Sequence, residues 1–251
     1  YPEDGVKGTI FIQHGYYDHV GLFKHIIAYC LAKNYAVIAY DLPGHGVSSG
    51  PPASIDSFQV YQNVFNQCLQ LAMSHCPKPW SVIAQSTGAA IVMDYCLATE
   101  ENDRQVVFEN VILLAPLVRP VTWARSVFFY HCVRHFVKKI KRGYAVNSHD
   151  LAFLHFVKEK DLLQHSFMPL QWVGALKDWL QDFEQKASCS VSPIVIQGNE
   201  DGTVDWQYNM AIIRKKFHQP AIHIVQGARH QLANESSAIR AEIFSIIDGV
   251  I

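Results

Sequence analysis

Three side chains far apart in the chain could together perform nucleophilic chemistry: Ser86 in SVIAQSTGAAIV, Asp201 in IVIQGNEDG and His230 in QGARHQLANE. A serine hydroxyl is a poor nucleophile until a base removes its proton. An imidazole is suited to that task, and a carboxylate on its other nitrogen fixes the tautomer and stabilises the imidazolium. Attack on an acyl carbon creates an oxyanion, which needs fixed N–H donors. The backbone N–H groups of Thr87, directly after the serine, and of Tyr16, in HGYYDH, are the expected donors. Glu200 and Asp205 are rival carboxylates near Asp201. His14 and His45 read as residues that shape their loops, not as reacting groups.

These residues need elements to hold them. Six short apolar runs alternate with segments of helical period: TIFIQHG (9–15), AVIAYDLPG (36–44), WSVIAQS (80–86), NVILLAP (110–116), SPIVIQGNED (192–201) and AIHIVQG (221–227). That alternation predicts repeated βα units and a mainly parallel sheet flanked by helices. In such sheets sites form beyond the carboxyl ends of the strands; Ser86 and Asp201 each close a run, and His230 stands three residues past one. Ala84 and Gly88 flank Ser86 at two residues on either side, as a sharp strand-to-helix turn requires, because strand and helix come too close there for large side chains.

One interval departs from the rhythm. From Arg119 to about Ser192 no strand pattern is evident, and the segment reads as helical and rich in aromatics. The expected organisation is a core in two parts, 1–118 and 192–251, around a helical cap insertion at 119–191. Between Arg119 and Arg142 seven basic residues and no acids accompany Phe129, Cys132, Val133, Phe136, Val137 and Ile140, spaced as one helical stripe. A basic amphipathic helix at 119–142 suits an anionic membrane surface. A cap helix with a solvated charged face and its stripe on the core is the other reading.

Composition removes several classes of function. The 251 residues are 49% apolar and 17% charged, against about 25% charged in an ordinary globular chain, with net charge −1. Nothing in that balance favours nucleic acid as a partner. No apolar run reaches the 18 or so residues that span a bilayer. Six scattered cysteines read as free thiols, and so as a chain of a reducing, cytoplasmic compartment that could touch a membrane peripherally. The chain opens at Tyr1 without Met, so an upstream segment is expected to have been removed. His131 and His135 lie four apart but lack a nearby carboxylate, and no metal site is expected.

Taken together, HGYYDH, YDLPGHGVSSG, AQSTG, LLAPL, QGNEDGTV and GARHQLANE resemble the monoacylglycerol lipase and lysophospholipase branch of the α/β hydrolases, grouped with the serine aminopeptidase (S33) type. The NSHDLAF and KDLLQ segments resemble that branch's cap. The resemblance implies an α/β-hydrolase fold with a mobile lid, no metal or organic cofactor, and hydrolysis of small-molecule acyl esters or lipids. Tyr17 and Asp18 would then contact substrate. Where that branch holds glycerol with an Arg and a second His, this chain has Leu22 and Ala233, which opens the head group to lysophospholipids or simple esters. Two rival classes follow from the same resemblance. One is an aminopeptidase, needing cap carboxylates such as Asp161, Asp178 or Asp182; the other is a non-catalytic relative kept as a binding module.

Overall fold

The structure, a computed structural model, describes residues 5–101 and 105–251. Its frame is a parallel sheet of six strands: β1 (Thr9–Gln13), β2 (Ala36–Ala39), β3 (Trp80–Gln85), β4 (Asn110–Leu114), β7 (Ile194–Gly198) and β8 (Ala221–Val225). Their order across the sheet is β2-β1-β3-β4-β7-β8. All six fall within the apolar runs of the sequence. β1 and β3 are buried at every position, which is why they read as continuous apolar runs and not as alternating ones.

Helices cover both faces. On one lie α1 (Lys24–Ala32) and α8 (Ser237–Asp248), which bury Ile26, Cys30, Ile243 and Ile247 against Ile10 and Ile83. On the other lie α2 (Gln59–Met73), α3 (Thr87–Glu101) and α7 (Trp206–Lys216), around Phe65, Tyr95 and Phe108. β1 leads to β2, its neighbour on one side, whereas β3 leads to β4, which lies on the other side. The loops after β1 and β3 therefore diverge, and the crevice between them is where ligands bind in open parallel sheets. The register sets Gln13 beside Ala84, and Gln85 beside Leu114, so the residues that follow emerge at one rim.

Between β4 and β7 the chain forms α4 (Trp123–Val133), β5 (Lys139–Lys141), α5 (Leu151–Glu159), β6 (Phe167–Pro169) and α6 (Leu170–Gln185). Two features correct the helical reading of this segment. β5 and β6 pair antiparallel, with Ile140 opposite Met168; three residues are too few to show a strand period. The stripe from Phe129 to Ile140 is not one helix either, because α4 stops at Val133 and leaves Phe136 88% exposed. Val133, Phe136 and Val137 lose side-chain freedom in a helix, and the backbone beyond them finds other partners. The Leu170 N–H donates to Lys138 O at 2.9 Å and the Arg142 N–H to Ser166 O at 2.9 Å. His135 lies past the helix end, so it does not share a helical face with His131.

The last helix of the segment is part of the main core. Phe183 is fully buried, Trp179 stacks on it at 4.8 Å, and Phe58 stacks on Trp179 at 4.8 Å. Phe183→Ala should cost about 3–5 kcal/mol, the range for truncating a buried aromatic ring. Urea denaturation read by fluorescence measures it. A loss below about 0.5 kcal/mol, within the scatter of surface substitutions, would mean that α6 does not carry core packing.

Candidate active site

Ser86 sits on the turn from β3 to α3 with φ +54°, left-handed backbone that a residue with a Cβ adopts only at a cost. The turn is held by hydrogen bonds: the Ser86 N–H donates to Leu114 O at 3.0 Å, and Ser86 O accepts from Ala90 N at 3.0 Å. Gly88 is obligatory. A Cβ there would lie 2.4 Å from the carbonyl oxygen of Gln13 and 2.6 Å from that of His14. Ala84, fully buried, shows that one methyl is accommodated on the strand side.

The His230 Nε2 lies 3.0 Å from Ser86 Oγ, and its Nδ1 lies 2.8 Å from Asp201 Oδ2. All three residues are buried, at 8%, 4% and 7% exposure. Asp201 also accepts from the N–H groups of Thr203 and Val204 at 2.8 and 3.1 Å, and from Gln197 Nε2 at 3.0 Å. Burial pushes the Asp201 carboxyl up, but the neighbouring His230 and these donors outweigh it and hold the group below the usual carboxylate range. For His230 burial acts downward, and the charge and hydrogen bond of Asp201, with the charge of Asp18, leave it raised above an ordinary imidazole. The arrangement can generate an alkoxide at Ser86 and keep the proton on His230. The rival carboxylates are engaged elsewhere. Asp205 pairs with Arg119 at 2.7 Å and caps α7, while the Glu200 side chain is 55% exposed.

The loop after β1 lies against this turn. A Cβ on Gly15 would come 3.1 Å from the Cβ of Ser86, which brings Tyr16 next to the serine. Thr87 opens α3, where a backbone N–H has no carbonyl within the helix to donate to. His14 fixes the loop: its Nε2 accepts from the Leu42 N–H at 2.8 Å, and its Nδ1 donates to Gly15 O at 2.8 Å. Burial lowers its pKa, in keeping with a neutral ring. His45 is likewise buried, with its pKa pushed down to about 3, and its Nδ1 lies 3.0 Å from Pro43 O. The Tyr16 hydroxyl donates to Ala53 O at 2.6 Å and its ring stacks on Trp172 at 3.8 Å. Tyr17, at φ +67°, lies under the Arg142 guanidinium at 3.9 Å and donates to Phe167 O at 3.3 Å.

Asp18 faces inward. Its two oxygens accept from Gln231 Nε2 at 3.0 and 3.2 Å, the Gln231 oxygen accepts from Gln85 Nε2 at 2.7 Å, and the Gln85 oxygen accepts from the Ala233 N–H at 3.0 Å. This buried chain joins the neighbour of Ser86, the neighbour of His230 and the loop after β1. The sequence does not single out Gln85 or Gln231 as site residues; the available signal is an amide at the end of a largely apolar run. Leu22 and Ala233 are buried in the apolar core beneath.

Glu235 performs a second joining task. Fully buried, it accepts from the N–H groups of Arg229, His149 and Ser236 at 2.8, 2.9 and 2.9 Å. Ser148 Oγ donates to Asn234 O at 2.7 Å, and the Gln231 N–H donates to Asn147 O at 2.8 Å. The His230 loop is thereby tied to the turn that starts α5.

A six-stranded parallel sheet of this order, with a serine on the sharp turn after β3 and an imidazole and a carboxylate at later strand ends, defines an α/β hydrolase. The family model for serine aminopeptidase, S33, matches residues 4–237, and the chain belongs to that family. It is 22% identical over 244 residues to a monoacylglycerol lipase of Mycolicibacterium smegmatis, covering 93% of this chain and 85% of the relative. A monoglyceride lipase of Rattus norvegicus is 30% identical over 118 residues, which span 47% of this chain and 37% of that protein. Among solved structures, the monoacylglycerol lipase of Paleococcus ferrophilus superposes with TM-score 0.81 at 16% identity, covering 99% of this chain and 95% of that one. A soluble variant of monoglyceride lipase from Saccharomyces cerevisiae, in complex with a substrate analog, gives 0.80 at 15% identity, with 99% and 87% covered.

Glu235 supplies a pH-linked prediction. Burial raises its pKa, yet the three N–H donors and His149 overcome that and hold it below the ordinary glutamate value. A carboxylate that binds its proton more weakly folded than unfolded contributes stability above about pH 4.3, and loses it as pH falls through the folded value. Glu235→Ala should therefore lower stability at pH 7, by on the order of 2–4 kcal/mol for three donors left without a charged acceptor, and less at pH 3. Urea titrations at both pH values read this difference. An equal loss at both would assign the effect to packing.

Proposed function

We propose that this protein is a serine hydrolase that cleaves carboxylic esters of acyl-chain substrates through an acyl-enzyme on Ser86. The observation that carries the reading is the hydrogen-bonded series from Ser86 Oγ through His230 to Asp201, at 3.0 and 2.8 Å. In this reading His230 takes the proton as Oγ attacks the ester carbonyl carbon. The N–H groups of Thr87 and Tyr16 hold the oxyanion. The tetrahedral intermediate collapses as His230 gives its proton to the leaving alcohol, and Ser86 is left acylated. Water then attacks with His230 again as base, which releases the carboxylic acid and restores the hydroxyl. Asp201 stabilises the imidazolium in both halves.

Likeness to monoacylglycerol and monoglyceride lipases supports an acyl ester as substrate. Leu22 and Ala233, both apolar and buried, favour a head group other than glycerol, such as that of a lysophospholipid or a simple ester. Tyr17 and Asp18 then serve the site by shaping its wall. The cap carboxylates that an aminopeptidase would use are otherwise placed: Asp161 binds His19 at 3.0 Å and Gln164 at 2.9 Å, while Asp178 and Asp182 are exposed on α6. The segment 119–191 acts as the cap over the site. Its Phe128, at 73% exposure, and Leu162, at 98%, beside the basic residues of 119–142, support contact with anionic lipid.

A fluorophosphonate probe should label the chain, with labelling lost in Ser86→Ala. Among p-nitrophenyl esters of graded acyl length and an aminoacyl anilide, the esters should be the substrates; preference for the anilide would make the protein a peptidase. Activity should fall on acidification through a midpoint above about 6.5, the ordinary imidazole value, because the raised His230 must be neutral to act as base. Asp201→Asn should lower kcat about 10⁴-fold and move that midpoint down. Sedimentation with vesicles should favour phosphatidylglycerol over phosphatidylcholine; equal sedimentation counts against lipid contact by the cap.

A further inference from the structure

Between the cap segment and the loop at Pro51–Ser54 lies a cavity of about 710 Å³, within the roughly 300–1,000 Å³ of ligand pockets, and none of Ser86, Asp201 or His230 lines it. Its walls come from the end of α4, the β5–β6 pair, the start of α6 and the loop at Pro51–Ser54. Two kinds of surface meet there. Tyr130, Val137 and Leu170 supply apolar wall, while Arg134, Lys138 and Lys139 supply positive charge, and no carboxylate is among the lining residues. Among the described residues, no ion pair involves any of those three cations. The Lys139 Nζ instead sits 4.4 Å from the centre of the Phe167 ring.

Like charges gathered without a counter-charge repel one another, and a bound anion relieves that repulsion. A small inorganic anion would leave the apolar wall bare, and a neutral amphiphile would leave the cations unpaired. We propose that this cavity binds a single-chain anionic amphiphile, with its phosphate or carboxylate head among Arg134, Lys138 and Lys139 and its alkyl chain along Tyr130, Val137 and Leu170. The site is separate from the chemistry at Ser86 and does not depend on it. It bears on that chemistry through Tyr16, whose hydroxyl holds Ala53 O and whose ring stacks on Trp172, each neighbouring a lining residue.

Isothermal titration calorimetry of the whole chain with dodecyl phosphate, kept below its micelle concentration, tests the proposal; the probe has no carboxylic ester, so turnover does not enter. The expected result is saturable binding of one molecule, at least roughly tenfold tighter than dodecyl maltoside and weakened by salt, with no measurable heat from inorganic phosphate. Lys138→Glu with Lys139→Glu should weaken it at least roughly tenfold, Lys138→Gln with Lys139→Gln less so, and Lys215→Glu on α7 should leave it unchanged. Phe128→Ser, on the outer face of the cap, should also leave it unchanged. Equal affinity for the maltoside, or indifference to charge reversal, would overturn the proposal. Binding to phosphatidylglycerol vesicles without binding of the monomer would overturn it too, and would assign the cations to a lipid surface.

Discussion

The turn at Ser86 is the constraint on which the rest of the structure depends. A strand and a helix meet there at a residue with φ +54°, and the conformation persists only because its surroundings leave it no alternative. Neighbouring strands supply that enclosure. β4 accepts the Ser86 N–H through Leu114 O, and the end of β1 comes so close that position 88 has no room for a side chain. The parallel order and the register are thus directly part of the site, because they set the carbonyls that fix the serine.

Enclosure also governs the electrostatics. With Ser86, His230 and Asp201 all buried, charges interact more strongly than in water, so a carboxylate beside the imidazole outweighs the cost of burial and raises its basicity. The same burial demands partners for every polar group nearby. The Ala233 N–H, Gln85, Gln231 and Asp18 form one donor-to-acceptor series, and Glu235 gathers three N–H groups of the His230 loop and the α5 turn. Each network ties the loop that carries His230 to another part of the rim, so the distance from imidazole to hydroxyl is fixed from several directions.

Much of this was legible in the sequence, for local reasons. Each strand lies in a short, largely apolar run, and Ser86, Asp201 and His230 stand at or just past the ends of runs, so their positions at strand ends follow from short-range pattern. The rest depends on partners distant in the chain. Gln85 meets Gln231 across 146 positions and Glu235 meets His149 across 86, and nothing near either residue announces it. The same holds between β4 and β7. Basic and apolar spacing from 119 to 142 suggests one helix, whereas α4 ends at Val133 and the backbone of residues 138–142 pairs with residues 166–170. A period in sequence predicts a helix only where no competing partner exists for the backbone.

The proposed chemistry requires that Ser86 Oγ become covalently acylated and that His230 drive the step. Rapid acid quench during turnover of a p-nitrophenyl acyl ester, followed by peptide mapping by mass spectrometry, observes the bond directly. The acyl mass should appear on the peptide containing Ser86, formed in a burst with p-nitrophenol, and that burst should be lost in His230→Ala. Sustained turnover with no acyl mass on that peptide, or acylation at another residue, would contradict that chemistry.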